Sequence, residues 1–480
     1  MRLGQTSAVY FVSKILGSFL GFIATVYFAR VLGEVVLGYY ALVLALVAWL
    51  GLVGRAGITQ AVVKRVSEGK DPARYVTAGS LMIGGIFCVI AVCVLVFRDL
   101  VNGYVGAPVA EFVVLLLCVE LYRTFSFAAL RGNHLVHVYA PLTTLDSGMR
   151  SIAQISLVVV GWGLIGMLVG YAISGLIVGV LALWVLKFRP RLPEKHHFRR
   201  LLDFAKFSWL GNLRVRTFNS LDVLVLGVFV SAGLVGVYAV AWSIGKFLDI
   251  FGSGIQTSLF PELSKLAKEG DQTAVAKLVE DALTYAGLVL VPGLVGAATV
   301  GDRLLLLYGD GFVVGETVLV ILIAALLVYT YTKQLISTLD AMDRPDLAFR
   351  ANGAFILANV VGNVVLVALY GWIGAAVATG LSAGVGLVLA YRYLQQLVSF
   401  SIPVGEIGRQ WIAAGFMGAT VLVAREFGEP TALATYNEVF VVVLAGAGAG
   451  VYFLTLCGIS GQFRQTIVQN LPFEVPVVSR

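Results

Sequence analysis

Apolar residues fill this chain in long runs broken by short polar stretches. A helix that crosses a bilayer needs about 20 mostly apolar residues. Such runs recur near 8–31, 36–57, 75–97, 109–130, 139–160, 163–186, 207–230, 235–258, 282–302, 316–338, 348–369, 372–396, 408–424 and 434–457. The pattern predicts an all-α polytopic membrane protein of about fourteen transmembrane helices. Two segments between the runs are amphipathic instead. Residues 187–206, with Pro190 and Pro193, predict a basic linker lying on the anionic inner leaflet, and 262–281 predict a short cytoplasmic helix.

Several runs repeat one another. Leu37-Gly38-Tyr39-Tyr40-Ala41 returns as Val235-Gly236-Val237-Tyr238-Ala239, and at the same offset Gly54 and Thr59 match Gly252 and Thr257. Gly161-Trp162 returns as Gly371-Trp372; after a two-residue gap, Gly166, Ser174 and Ala182 match Gly374, Ser382 and Ala390. Two six-helix lobes are therefore expected, 1–186 and 207–397, joined by the linker 187–206 and followed by 398–480 with two extra helices and a cytoplasmic tail. Lobes with an even number of spans insert the same way up, so a pseudo-two-fold along the membrane normal relates them.

Composition agrees with a membrane chain. It is 59% hydrophobic and 13% charged, with mean hydropathy +0.92, and a soluble fold could not hide that much apolar surface. The first run continues to Val31 without a small-residue cleavage site and reads as a retained helix. Lys64, Arg65, Lys70, Arg74, the linker cations, Lys265, Lys268, Lys277, Arg344, Arg350, Arg409 and Arg464 fall on one side of the alternating spans; Arg30, Arg98, Arg303 and Arg425 fall on the other. The positive-inside rule then places both termini in the cytoplasm of a multi-pass cell membrane protein. The net charge of +7 belongs to these loops and calls for no nucleic acid. Cys88, Cys93, Cys118 and Cys457 sit in apolar runs without metal spacing, so no metal, disulfide or cofactor is expected. His196 and His197 read as solvated linker residues. Gly161 to Gly166 fits GxGxxG, but between two apolar helices with no strand before it, so it is not a dinucleotide site.

Charges inside the runs are the informative exceptions, because each costs about 2.5–3.5 kcal/mol at mid-bilayer on insertion scales. The candidate cavity cations are Lys14, Arg55, Arg123, Arg150, Arg214, Arg216 and Lys246. Glu120 and Arg123, three apart, and Asp146 and Arg150, four apart, are spaced to pair as salt bridges. Lys246 and Asp249 either neutralise each other or share a polar stripe; Arg55 either lines a cavity or snorkels. Lys14 and Arg216 have no acidic partner within one turn of their own helix. Asp222 and Asp249 either take up a proton or Na⁺ or partner nearby cations. The Gly17–Gly21 and Gly166–Gly170 faces are expected to serve close helix packing.

Tyr27-Phe28-Ala29-Arg30-Val31-Leu32-Gly33 with the following Leu37 to Ala41, Phe260-Pro261-Glu262-Leu263-Ser264, and Tyr370-Gly371-Trp372-Ile373-Gly374-Ala375-Ala376-Val377-Ala378-Thr379 occur in the order and spacing of a known family. The chain resembles the polysaccharide flippases of the multidrug/oligosaccharidyl-lipid/polysaccharide exporter superfamily. The resemblance implies translocation of a polyprenyl (dolichyl or undecaprenyl) phosphate- or pyrophosphate-linked oligosaccharide from the cytoplasmic to the outer leaflet, for surface polysaccharide or protein N-glycosylation. Its partners would be that glycolipid, the bilayer and glycan-assembly enzymes. In the similar lipid II flippases, cations on helices one, two and eight line the cavity; Lys14, Arg55 and Lys246 stand at comparable places and, with Arg216, form the expected substrate site. The alternative is a cation-coupled drug exporter of the same superfamily, although helix one carries Lys14 where such exporters often place a carboxylate. The outside loops are short and hold no catalytic set, so no enzyme activity is expected.

Overall fold

The computed structural model describes residues 3–208 and 210–470, apart from the side chains of 3–16, 18, 207–208, 210–212, 214–215, 432–433, 467 and 469–470. Every regular element among the described residues is helical. They are α1 (Leu3–Arg55), α2 (Ile58–Ser67), α3 (Pro72–Val96), α4 (Arg98–Val105), α5 (Ala110–Gly132), α6 (Val136–Val159), α7 (Gly163–Val185), α8 (Lys195–Ser208), α9 (Leu210–Phe229), α10 (Ala232–Leu248), α11 (Ile250–Glu269), α12 (Gln272–Ala286), α13 (Leu290–Leu306), α14 (Glu316–Ala341), α15 (Pro345–Gln395), α16 (Val404–Gly428), α17 (Asn437–Ile459) and α18 (Gly461–Asn470).

The fourteen apolar runs all fall on these helices. Among the described residues, nine helices are long and apolar enough to cross a membrane, or up to ten with the bent pair α10–α11. Two of the nine are each a pair of spans joined end to end. α1 turns at Gly33 (φ 77°) and α15 at Gly371 (φ 59°), a backbone region open to glycine at no steric cost. α6 and α9, whose runs carry charge, fall outside the nine.

Three local readings need correction. The eighth run is not straight: α10 and α11 meet at a 45° bend beside Asp249. The ninth breaks between α12 and α13. The segment 262–281 is not one helix. α11 stops at Gly270 (φ 77°), and Asp271 caps α12 by accepting the Ala274 N–H at 2.9 Å. A glycine stop beside an aspartate start is a stop–start signal that the amphipathic pattern masked.

The chain divides into two compact units, Met1–Ser243 with Phe355–Thr379, and Ile244–Ala354 with Gly380–Arg480. In the first, α5 is central and packs on α1, α2, α3 and α7. Burying apolar surface gains little in lipid, so close approach through small residues carries the packing. The glycines of α7 allow it. A Cβ at Gly170 would come 2.7 Å from Gln154 N of α6, and one at Gly175 would come 2.5 Å from Val119 of α5. Gly17 and Gly21 line a cavity; a Cβ at Gly21 would meet nothing within 4 Å, and one at Gly17 would only touch Ser147 Cβ of α6 at 3.6 Å. In the second unit α14 is central. Leu335, Ile336 and Leu339 join Val275, Val279 and Leu283 of α12 and Ala390 and Leu394 of α15 in one buried cluster.

Within the basic linker, α8 docks on α2 and α3. Here His197 departs from its expected solvated state. It is fully buried, edge-on to Tyr75 at 4.8 Å between ring centroids, while His196 stays exposed. Its Nδ1 accepts the Glu194 N–H at 3.1 Å and its own N–H donates to Glu194 O, a reciprocal cap at the start of α8.

Candidate functional site

Three helices of the first unit bring their charges together. Glu120, Arg123 and Thr124 share one face of α5, being three and four residues apart. Arg123 donates to Glu120 at 2.5 Å and to Asp146 Oδ2 of α6 at 2.9 Å; Arg150, one turn beyond Asp146, donates to the same oxygen at 2.8 Å. Arg55, at the end of α1, donates to Thr124 at 3.2 Å and lies 3.5 Å from Glu120. Tyr171 of α7 donates to Glu120 at 3.2 Å, and its ring lies 4.1 Å from the Arg150 guanidinium. Ser174 donates to Asp146 Oδ1 at 2.8 Å. Both sequence-spaced pairs thus form, fused into one network, and Arg55 turns inward instead of snorkelling.

The network is not neutral. Arg216 of α9 lines a cavity of about 330 Å³ with Glu120, Arg150 and Tyr171. Four arginines (55, 123, 150 and 216) therefore share two carboxylates (120 and 146), an excess of two positive charges. Arg123 Nε and Arg150 Nε are buried without a hydrogen-bond partner. Removing ions from water costs several kcal/mol each unless counter-charge or water compensates, so the excess suits an anion or a wet cavity. Arg150 also lines a larger cavity of about 650 Å³, walled by Thr25, Tyr40, Thr143, Ser147, Gln154 and Ser243 among others. Hydroxyls and amides of this kind match the hydrogen-bonding demands of a sugar.

A second polar cluster lies deep in the same unit. Asp222 of α9 is 4% exposed. Its Oδ1 accepts from Asn363 at 2.9 Å; its Oδ2 accepts from Thr379 at 2.7 Å and from Tyr238. Asn363 also donates to Asn359 O at 3.0 Å, while its own Oδ1 is buried and unpaired. A carboxylate, two amides and two hydroxyls form a buried, oxygen-rich cluster in which no cationic side chain pairs with the carboxylate among the described residues.

Asp249 is held otherwise. Lys333 of α14 reaches both its oxygens, at 2.9 and 3.1 Å, and Ser253 and Thr330 donate to it as well. Its ion-pair partner is thus Lys333, on another helix. Lys246 is half-buried in α10 and belongs to the second unit. The side chains of Lys14 and Arg214 lie outside the described residues. Sequence reasoning did not single out Lys333, Asn359, Asn363, Thr379 or Tyr238 for a site. Lys333 carried a usable signal, an ionisable residue in an apolar run. The neutral residues carried none by themselves.

A family profile described as "Polysaccharide biosynthesis protein" matches residues 3–267. The chain belongs to that family. Over 98% of both chains it is 33% identical to the "Probable flippase AglR" of Haloferax volcanii. To the same organism's "Probable low-salt glycan biosynthesis flippase Agl15" it is 26% identical, over 99% of this chain and 100% of that one. The family fold extends to solved structures. A lipid II flippase, MurJ, in an inward closed conformation, superposes with a TM-score of 0.78 at 15% identity, covering 96% of this chain and 100% of that one. An inward-facing MATE transporter of the MOP superfamily gives a TM-score of 0.63 at 13% identity, over 81% and 98% of the two chains. The fold is that of a MurJ- or MATE-like transporter, as the sequence resemblance implied, and the chain is a multi-pass membrane protein.

Proposed function

We propose that this chain is a flippase that carries a polyprenyl-(pyro)phosphate-linked oligosaccharide from the cytoplasmic to the outer leaflet of the cell membrane for surface glycan assembly. The observation that carries this reading is the excess of arginine over carboxylate beside a hydroxyl-lined cavity. An ionised phosphate and its sugars cannot cross hydrocarbon unaided. A cationic, hydrated path gives the headgroup a route while the polyprenyl tail stays in lipid. Relatives named as flippases support the same chemistry.

In this reading the N-terminus is cytoplasmic, as is the C-terminus, and the lobes 1–186 and 207–397 rock in alternating access. Arg55, Arg216, Lys14 and Lys246 serve the substrate's phosphate, and Arg150 joins them. The Asp222 carboxylate takes the coupling cation, whereas Asp249 has Lys333 as its counter-charge. Glycan-assembly enzymes supply the substrate and use the product. A cationic drug would meet like charge in this network, which disfavours drug export.

The test is reconstitution. Proteoliposomes loaded on one leaflet with a labelled polyprenyl-pyrophosphate oligosaccharide should move label to the other leaflet, and Arg150→Gln should slow the transfer. Label that moves no faster than in protein-free vesicles would sink the proposal.

A further inference from the structure

Four basic side chains gather where three spans of the first unit end. α3 begins at Pro72, α5 ends at Gly132 and α7 ends at Val185. Beside these ends lies a cavity of about 360 Å³, lined by Arg74, Lys187, Arg189, Arg191 and Asn133 together with one carboxylate, Asp71. The loop that forms one wall is fixed in place. Lys187 takes φ +50°, and the Arg191 N–H donates to Thr77 Oγ1 of α3 at 3.2 Å. Arg74 is held by Glu194. The side chains of Lys187, Arg189 and Arg191 have no hydrogen-bond or ion-pair partner among the described residues. Four cations thus face one lining carboxylate. Counting Glu194 against Arg74 still leaves an excess of two positive charges.

Two apolar side chains next to the lining residues in the chain are exposed: Trp184, whose carbonyl accepts the Lys187 N–H at 3.0 Å, and Leu192, which follows Arg191. Trp184 is 74% exposed and Leu192 is 90% exposed. In water each would forgo about 1.5–3 kcal/mol of burial. At the end of a span, the headgroup–hydrocarbon boundary is where such residues anchor. Exposed Trp and Leu beside unpaired guanidinium groups fit a ligand that is part phosphate and part lipid. Arginine forks match phosphate oxygens two at a time, with lysine adding a point charge.

We propose that this cavity binds the phosphate of a lipid in the leaflet facing 187–206, tying the linker and α8 to the membrane. The site is separate from the arginine network around Glu120. It does not depend on what the protein transports. Two lipids carry the required chemistry, an anionic phospholipid of the bilayer and a polyprenyl phosphate.

Native mass spectrometry of the full-length protein in neutral detergent tests the idea. The probes are phosphatidylglycerol, a polyprenyl phosphate, phosphatidylcholine and inorganic phosphate. The proteins are the parent, Arg189→Gln with Arg191→Gln, the charge-conserving Arg189→Lys with Arg191→Lys, and Arg98→Gln as a basic control elsewhere. Each lost arginine should weaken binding about fivefold, and both together roughly thirtyfold. The lysine pair should keep most of the affinity and Arg98→Gln all of it. A loss confined to phosphatidylglycerol supports the site with bulk lipid as ligand; a loss confined to polyprenyl phosphate supports it with that lipid instead. If the parent binds neither probe more tightly than phosphatidylcholine, or the glutamine pair binds as the parent does, the proposal is overturned. Salt provides a check independent of the variants, since added inorganic phosphate should displace the lipid from the parent. Flipping is not the readout, so a failed transport assay leaves this result intact.

Discussion

Gly38 and Gly236 lie against each other, backbone to backbone. A Cβ added at Gly236 would come 2.9 Å from Gly38 N and 2.0 Å from Glu34 O, and one at Gly38 would come 1.8 Å from Ala232 O. These are the matching glycines of the repeated motif that begins at Leu37 and Val235. The repeat therefore does physical work, because its two copies form one self-complementary contact between α1 and α10. Gly236→Ala should force the helices apart. Overpacking of this kind costs about 1–3 kcal/mol, roughly five- to 150-fold in the population of the closed contact. Cysteines at Glu34 and Ala232 should then cross-link more slowly, and transport should fall while the chain still inserts. Transport within twofold of the parent would show that the contact is dispensable.

Asp222 offers a cleaner test, because every partner described for it is neutral. Asp222→Asn keeps the shape and removes the charge. Flipping in proteoliposomes should lose its dependence on an imposed Na⁺ or proton gradient, with thermal stability lowered less than in Asp222→Ala because one acceptor oxygen remains. Asp222→Ala should instead destabilise, since the donors Asn363, Thr379 and Tyr238 would each lose a buried partner at about 1–3 kcal/mol. An Asp222→Asn protein that retains the parent's gradient dependence would remove this residue from coupling.

The arginine network should separate stability from transport. Glu120 serves Arg55, Arg123 and Tyr171 at once, so Glu120→Ala leaves buried cations without counter-charge. Breaking a buried ion pair costs about 3–5 kcal/mol, and the variant should melt early or fail to accumulate. Removing Arg123 as well, as Leu, should restore much of the loss. Arg150→Gln leaves three arginines for two carboxylates, so stability should hold while transport falls. Equal loss of stability in Arg150→Gln and Glu120→Ala would make Arg150 structural instead.

Helix positions were legible because lipid demands long apolar runs, and each run fell on helix. The breaks at Gly33 and Gly371 were legible too, since each follows a run of full length. Pairs within one helix, Glu120–Arg123 and Asp146–Arg150, could be read from spacing alone. Partners on different helices could not. Asn363 lies 141 residues from Asp222 and Lys333 lies 84 from Asp249, and no local pattern joins them. Spacing along one helix offers Asp249 only Lys246, as a counter-charge or a neighbour on a polar stripe, whereas its ion-pair partner Lys333 stands on α14. His197 was hidden for a related reason. Its neighbourhood is polar in sequence, yet α3 supplies the aromatic wall that buries it.

That burial gives α8 a pH dependence whose sign follows from the cap. Burial against Tyr75, with His196 beside it, holds the His197 imidazole below its usual range. Glu194 and Arg74 also face it. Protonating Nδ1 would set an N–H against the Glu194 N–H that it now accepts. The unfolded chain takes up this proton near pH 6.5, before the folded chain does. The docking of α8 should thus be fully stable above about pH 6.5 and weaken as pH falls below it. Hydrogen exchange of residues 195–208 should show protection at about pH 7.5 and its partial loss at about pH 5.5, compared at matched intrinsic exchange rates. His197→Gln keeps an acceptor for the cap and removes the titration, so its protection should vary much less across the same range. If the glutamine variant loses protection in step with the parent, another group carries the dependence, and exposed His196 is the next to replace.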